Sequence, residues 1–143
     1  MKVQECMSKD VISAPDNSNV YGIARLMNDN HIGSILICNH QNDLVGMVTD
    51  RDIVLRCVAC EKDTKKTKAI DIMSENVVTV TPETQICDAT KIMAEQQIRR
   101  LPVTENNKLV GVISIGDLAI ENDVSGQEVG YTMECICHKS KNE

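Results

Sequence analysis

The sequence predicts a mixed α/β (α+β) protein built of two pseudo-symmetric β-α-β-β-α units packed as one module, followed by a short C-terminal helix. Three observations predict it. A block of sequence returns after about 66 residues. Apolar residues switch between helical and strand spacing in the same order in both copies. The length, 143 residues, holds one compact domain or two small fused halves.

The repeat is read directly. Cys6-Met7-Ser8-Lys9-Asp10-Val11 returns as Ile72-Met73-Ser74-Glu75-Asn76-Val77, with Met7 and Met73 standing 66 positions apart. Ala24-Arg25-Leu26-Met27 returns as Thr90-Lys91-Ile92-Met93 at the same spacing. Leu44-Val45-Gly46-Met47-Val48-Thr49 returns as Leu109-Val110-Gly111-Val112-Ile113-Ser114 at a spacing of 65, and Pro15 returns as Pro82 at 67. These one-residue shifts fall beside a proline and in a polar turn, where two copies of one structural unit tolerate them.

Each element then follows in order. Val11–Ser13 and Val77–Val80 are β-rich and run toward a proline, which closes a strand. Val20, Ile23, Ala24 and Met27 fall on one helical face, and Ile86, Ala89 and Met93 repeat it. Ile35–Cys38 and Leu101–Val103 read as strands, His40–Asp43 and Glu105–Lys108 as polar turns, and Leu44–Val48 and Leu109–Ile113 as the returning strands of hairpins. Thr49-Asp50-Arg51-Asp52 and Ser114-Ile115-Gly116-Asp117 each open a helix, with a hydroxyl at the cap and an acid three residues on. The expected boundaries are 1–60 for the first unit, 61–69 for a solvated lysine-rich linker, 70–121 for the second unit and 122–143 for the tail. In the tail, Ser125-x-x-Glu128 reads as a capping box, and Val129, Met133 and Ile136 line one face of a helix that docks or dimerises.

Composition excludes several functions. The formal charge is −6, which argues against a phosphate-backbone binder. Tyr21 and Tyr131 are the only aromatic residues, so no platform exists for stacking single-stranded bases. No apolar run is long enough to span a bilayer, and Met1–Asp10 lacks a signal-peptide core. Seven cysteines, an odd number, point to reduced thiols and a cytoplasmic setting rather than a disulfide framework. His31 and His40 flank strands without a nucleophile or acid beside them, so no catalytic set can be assembled and an enzyme is not expected. Cys6, Cys38 and Cys87 fall on apolar faces and read as core; Cys57 and Cys60 read as small buried hydrophobes.

Two Thr/Ser-x-x-Asp turns at equivalent positions carry the strongest chemical signal. A short aspartate at a strand-to-helix junction accepts two hydrogen bonds from a ribose diol, and the helix start beside it favours anions. The same residues also serve as plain helix caps, and one hydroxyl can do both. Gly33 and Gly46 read equally as turn and close-packing glycines.

The proline after the first strand, Gly-h-h-Thr/Ser-x-x-Asp (h, hydrophobic) after the third, and Ile98-Arg99-Arg100-Leu101-Pro102-Val103 in the second copy resemble a tandem CBS-domain pair, or Bateman module, over roughly Met1–Glu121. The resemblance is to the small stand-alone bacterial members. It implies a regulatory module that binds AMP, ADP, ATP or S-adenosylmethionine in two clefts, each taking its aspartate from one copy and its phosphate contacts from the other. The main cleft would use Met47, Thr49, Arg51, Asp52, Val77, Val78, Arg99 and Arg100. The second would use Val11, Ile12, Gly33, Ser34, Val112, Ser114 and Asp117, and is the weaker because Gly33, Ser34 and Gly116 stand where the first has arginines. It also implies a homodimer through the helices after Thr49 and Ser114, and a protein partner. Nucleic acid, membrane, required cofactor and metal are not expected. Two alternatives stay open: an interaction scaffold with unused clefts, or a thiol or zinc protein using Cys57-x-x-Cys60 and Cys135-x-Cys137-His138.

Overall fold

A computed structural model describes residues 1–121 and 125–142, with the side chains of 138–142 left out of the description. The chain forms two compact units, one of Ile12–Val77 and one of Met1–Val11 together with Val78–Glu143. The first is a continuous stretch of chain; the second is assembled from both sides of it.

In the Ile12–Val77 unit, β1 (Ser13–Pro15), β2 (Ser34–Cys38) and β3 (Leu44–Thr49) form one sheet in that order. β1 runs parallel to β2, with Ala14 opposite Ile37, and β2 returns antiparallel into β3, with Ser34 opposite Thr49. β1 lies two residues later than Val11–Ser13 and contains Pro15, whose missing N–H is tolerated because β1 is an edge strand. Helix α1 (Val20–Asn30) presents Val20, Ile23 and Met27 to the core. It stops at His31, which takes the left-handed conformation at φ 54°.

The segment expected as a solvated linker is hydrogen-bonded to the start of α1. The Val20 and Tyr21 amides donate to the carbonyls of Thr67 and Thr64 at 2.9 and 3.0 Å, and the Gly22 amide donates to the Asn19 side chain at 2.7 Å. These bonds satisfy three of the orphan donors at the start of α1. Lys65 adds its ammonium over the Tyr21 ring, 5.3 Å from the centroid. The lysines stay exposed while the backbone is fixed.

β3 turns into α2 (Asp50–Ile53), which continues as a π turn over Val54–Val58, where the Ala59 amide donates to the Val54 carbonyl at 2.8 Å. Cys57 points inward, while Val54, Leu55 and Val58 are 50–58% exposed. The one-turn helix α3 (Ala69–Ile72) buries Ala69 and Ile72 and delivers Met73 and Ser74 to β3.

The other unit repeats these parts. A 3-10 turn at Val3–Glu5 occupies the place of α3, helix α4 (Ile86–Gln96) that of α1, and the antiparallel pair β4 (Arg100–Glu105) and β5 (Lys108–Ser114) that of β2 and β3. The pair turns through Asn106 and Asn107, both at positive φ, the asparagine-tolerant geometry of a tight hairpin. The strand expected at Val77–Val80 is reduced to one parallel bridge, Val80 to Val103. Helix α5 (Ile115–Ala119) follows β5, and helix α6 (Gly126–Asn142) packs along α4. The Thr90 hydroxyl donates to Glu128 at 2.7 Å and the Gln97 side-chain Nε2 to the Cys135 carbonyl at 3.2 Å, so α4 and α6 run in the same direction. Ile136 and Thr132 are buried beneath α6, as the docking reading of the tail requires. The expected cap there is half-formed, the Glu128 amide donating to the Ser125 hydroxyl at 3.0 Å while the Glu128 carboxylate turns to Thr90.

Segment exchange is the feature that holds this arrangement. Met73 lies over Gly46 in one unit and Met7 over Gly111 in the other. The amides and carbonyls of Met47 and Ser74 pair at 2.9 Å, and those of Val112 and Ser8 do the same. Each hairpin is therefore completed by the head of the opposite repeat.

Candidate functional site

Thr49 and Ser114 each stand where a hydrophobic strand leaves its sheet, and there each hydroxyl caps the helix that follows. The Thr49 hydroxyl accepts from the Asp52 amide at 3.0 Å, and one oxygen of Asp52 accepts from the Thr49 amide at 3.0 Å. Ser114 and Asp117 repeat the box at 3.1 and 2.9 Å. In both, a single carboxylate oxygen (Oδ2) is spent on the cap. The other keeps its lone pairs for a further donor.

The two boxes differ in what faces that second oxygen. Asp52, only 12% exposed, lies 3.8 Å from the Arg56 Nε. The same guanidinium donates to the Ile72 carbonyl at 3.0 Å and to the Met73 carbonyl at 3.4 Å. In the second copy the position 65 residues on from Arg56 is Glu121. Burial first, and then the negative charges of Glu121, Glu5 and Asp117, hold the Cys6 thiol above its ordinary value. The head segment there sits in an acidic setting where its counterpart meets an arginine.

Met47, Thr49, Arg51, Asp52 and Val77 of the main set belong to the Ile12–Val77 unit, with Ile12, Gly33 and Ser34 of the second set. Val78, Arg99, Arg100, Val112, Ser114, Asp117 and Val11 belong to the other. Inside the first unit, Ser34 pairs with Thr49 across the hairpin and the Gly33 carbonyl accepts from the Asp50 amide at 2.9 Å. Inside the second, Arg100 pairs with Ser114 and the Arg99 carbonyl accepts from the Ile115 amide at 2.9 Å. Arg99 and Arg100 are exposed, and among the described residues neither has an acidic partner. The chain passes between units at Val11–Ile12 and Val77–Val78, two points that are themselves 66 residues apart. An open hollow of about 450 Å³ lies along α2, lined by Asp50, Arg51, Val54 and Leu55.

A CBS domain family model matches the chain twice, over residues 3–58 and 69–121. The chain belongs to the CBS domain family. It is 36% identical over 138 residues to the CBS domain-containing protein YhcV of Bacillus subtilis, covering 96% of each chain. The crystal structure of Hypoxic Response Protein I, which has two coordinated zinc ions, superposes with a TM-score of 0.75 at 28% identity, over 83% of this chain and 97% of that one. The CBS domain pair of MJ0100, solved with 5′-methylthioadenosine and S-adenosyl-L-methionine, superposes at 0.69 over 83% of this chain and 93% of that one; at 24% identity the likeness is one of fold. The expected membership and α/β architecture are borne out.

The thiols divide differently from expectation. Cys38 and Cys57 are buried, but Cys60 and Cys87 are exposed, so neither of these two is core. Cys60 lies just beyond the π turn, and Cys87 sits in the first turn of α4 on the face away from Ala89 and Met93. Among the described residues no three His, Cys, Asp or Glu side chains come together as a metal site, and His138 lies outside the described side chains. No described helix is long and apolar enough to cross a membrane. Arg56 was not singled out by sequence reasoning. Its mismatch with Glu121 at equivalent repeat positions was the available signal.

Proposed function

We propose that the chain is an adenine-nucleotide-binding regulatory module whose main site centres on Thr49 and Asp52. The observation that carries this reading is the paired capping box. Each aspartate is fixed by its helix start through one oxygen, which presents the other in a set direction for a ribose diol. Arg51 supplies a cation for a phosphorylated ligand, with Met47 and Val77 of the same unit beside the base. Ser114 and Asp117, with Val11 and Val112 of the same unit, form a weaker site, since Gly116 stands where the first copy has Arg51. AMP, ADP and ATP are the ligands this charge pattern favours over S-adenosylmethionine. Occupancy biases self-association through Val54, Leu55 and Val58, whose exposure suits contact with a second copy, and a protein partner reads the change.

The test is thermal unfolding followed by circular dichroism, with ATP, ADP, AMP and S-adenosylmethionine added in turn. Ligand at about 100 times its Kd adds about 2.7 kcal/mol, a rise of several degrees at this size. Asp52→Asn, which keeps a cap acceptor, is expected to abolish the shift, and Asp117→Asn to leave most of it. No shift with any nucleotide, in protein free of carried-over adenine by its 260 nm absorbance, overturns the reading in favour of an interaction scaffold. A rise with zinc alone favours the metal alternative.

A further inference from the structure

We infer that Arg56 is a positioning residue that ties the ligand-facing carboxylate of Asp52 to the chain segment leaving the Ile12–Val77 unit. The inference rests on the nucleotide reading of Thr49 and Asp52 and adds how occupancy there is passed on. One guanidinium makes three connections inside the unit: Nε faces the Asp52 oxygen left over from the cap at 3.8 Å, while Nη1 reaches the carbonyls of Ile72 and Met73 at 3.0 and 3.4 Å. Those carbonyls end α3, where a cation is favoured. The residues that follow bridge to β3 through Ser74 and Met47, and the chain then leaves the unit at Val77. Lysine, a point charge without a fork, cannot make this set of contacts together.

Asp52 is therefore held from two sides. The Thr49 amide fixes one oxygen, and the Arg56 charge orients the other. A hydroxyl pair that binds the free oxygen draws on the same charge, so the exit segment feels whether the site is filled. The second copy lacks the device, because Glu121 stands at the equivalent place and its head segment carries Cys6 in an acidic setting. The coupling belongs to one site.

The experiment measures the Kd of ATP and 2′-deoxy-ATP by calorimetry on the full chain, for wild type, Arg56→Gln, Arg56→Lys and Glu121→Gln. The ratio of the two constants reports how well Asp52 is aimed at the diol. Arg56→Gln is expected to shrink that ratio about fivefold, the upper range for an ion pair of this exposure. Arg56→Lys should recover part of it, and Glu121→Gln should leave it unchanged. Amide hydrogen exchange at Met47 and Ser74 should speed up in Arg56→Gln and become less sensitive to ATP. A lower melting temperature with an unchanged ratio overturns the inference and leaves the nucleotide reading standing. Absence of ATP binding in the wild type overturns both.

Discussion

Gly46→Ala isolates the contact on which the exchanged segments depend. A Cβ added at Gly46 would lie 2.6 Å from the Met73 sulfur, 3.0 Å from its Cγ and 2.9 Å from the Ser74 carbonyl oxygen. The methionine end can swing aside, but that carbonyl is held by the Met47 amide at 2.9 Å. The φ of Gly46 is not positive, so alanine carries no backbone strain and would by itself gain about 0.4–1 kcal/mol from a stiffer unfolded chain. Overpacking of this kind costs about 1–3 kcal/mol, so the net expectation is a loss of about 1–2 kcal/mol. For a chain of this length that lowers Tm by about 3–8 °C, read by circular dichroism. Gly111→Ala should act in the same direction and slightly less, since the Met7 sulfur lies at 2.9 Å and its Cγ at 3.3 Å. Met73→Ala combined with Gly46→Ala should relieve both methionine contacts, leaving the carbonyl clash. An unchanged or higher Tm in Gly46→Ala would refute the close-packing argument.

Three further perturbations test other parts. Ile136→Ala removes a side chain that is 6% exposed beneath α6, and should cost about 2–4 kcal/mol in urea denaturation; a loss below about 1 kcal/mol would mean that α6 is not docked. Thr49→Ala and Ser114→Ala each break a capping box and should cost about 1 kcal/mol without ligand, by the same measurement. The Cys6 thiol is raised by burial and then by Glu121, Glu5 and Asp117, and the Cys38 thiol by burial and then by Asp43. Because both are raised above their unfolded value, the stability they contribute is present below about pH 8.5 and is lost as pH climbs through the folded values. Tm should therefore fall on the alkaline side, and Cys6→Ala with Cys38→Ala should flatten that fall.

The local parts of this molecule were legible because their physics is local. The helical face of Val20, Ile23 and Met27, the asparagine turn at Asn106-Asn107 and the hydroxyl–acid boxes each depend on residues within a few positions of one another. What escaped depends on distant backbone. Nothing in Lys62–Lys68 announces that the carbonyls of Thr64 and Thr67 finish the start of α1. The strand at Val77–Val80 has the right residues, yet only Val80 finds a ladder partner. Arg56 passed unremarked because its acceptors, the carbonyls of Ile72 and Met73, leave no mark on the sequence. The glycine pair was visible as Gly46 and Gly111, but the repeat alone did not tell that each would be covered by the other copy's methionine.

That exchange sets an order of events during synthesis. All residues of the Ile12–Val77 unit exist once Val77 has been made, so this unit can close while the rest of the chain is still being added. The Met1–Val11 segment has to wait. Val3 needs the carbonyl of Thr84, and Met7 needs the face of Gly111, which is translated about 100 residues later. At about 5–20 residues per second, that leaves Met7 without its partner for roughly 5–20 s. Residues made early are thus among the last to settle, and during that interval an exposed stretch with three sulfur side chains is what a chaperone or an oxidant would meet.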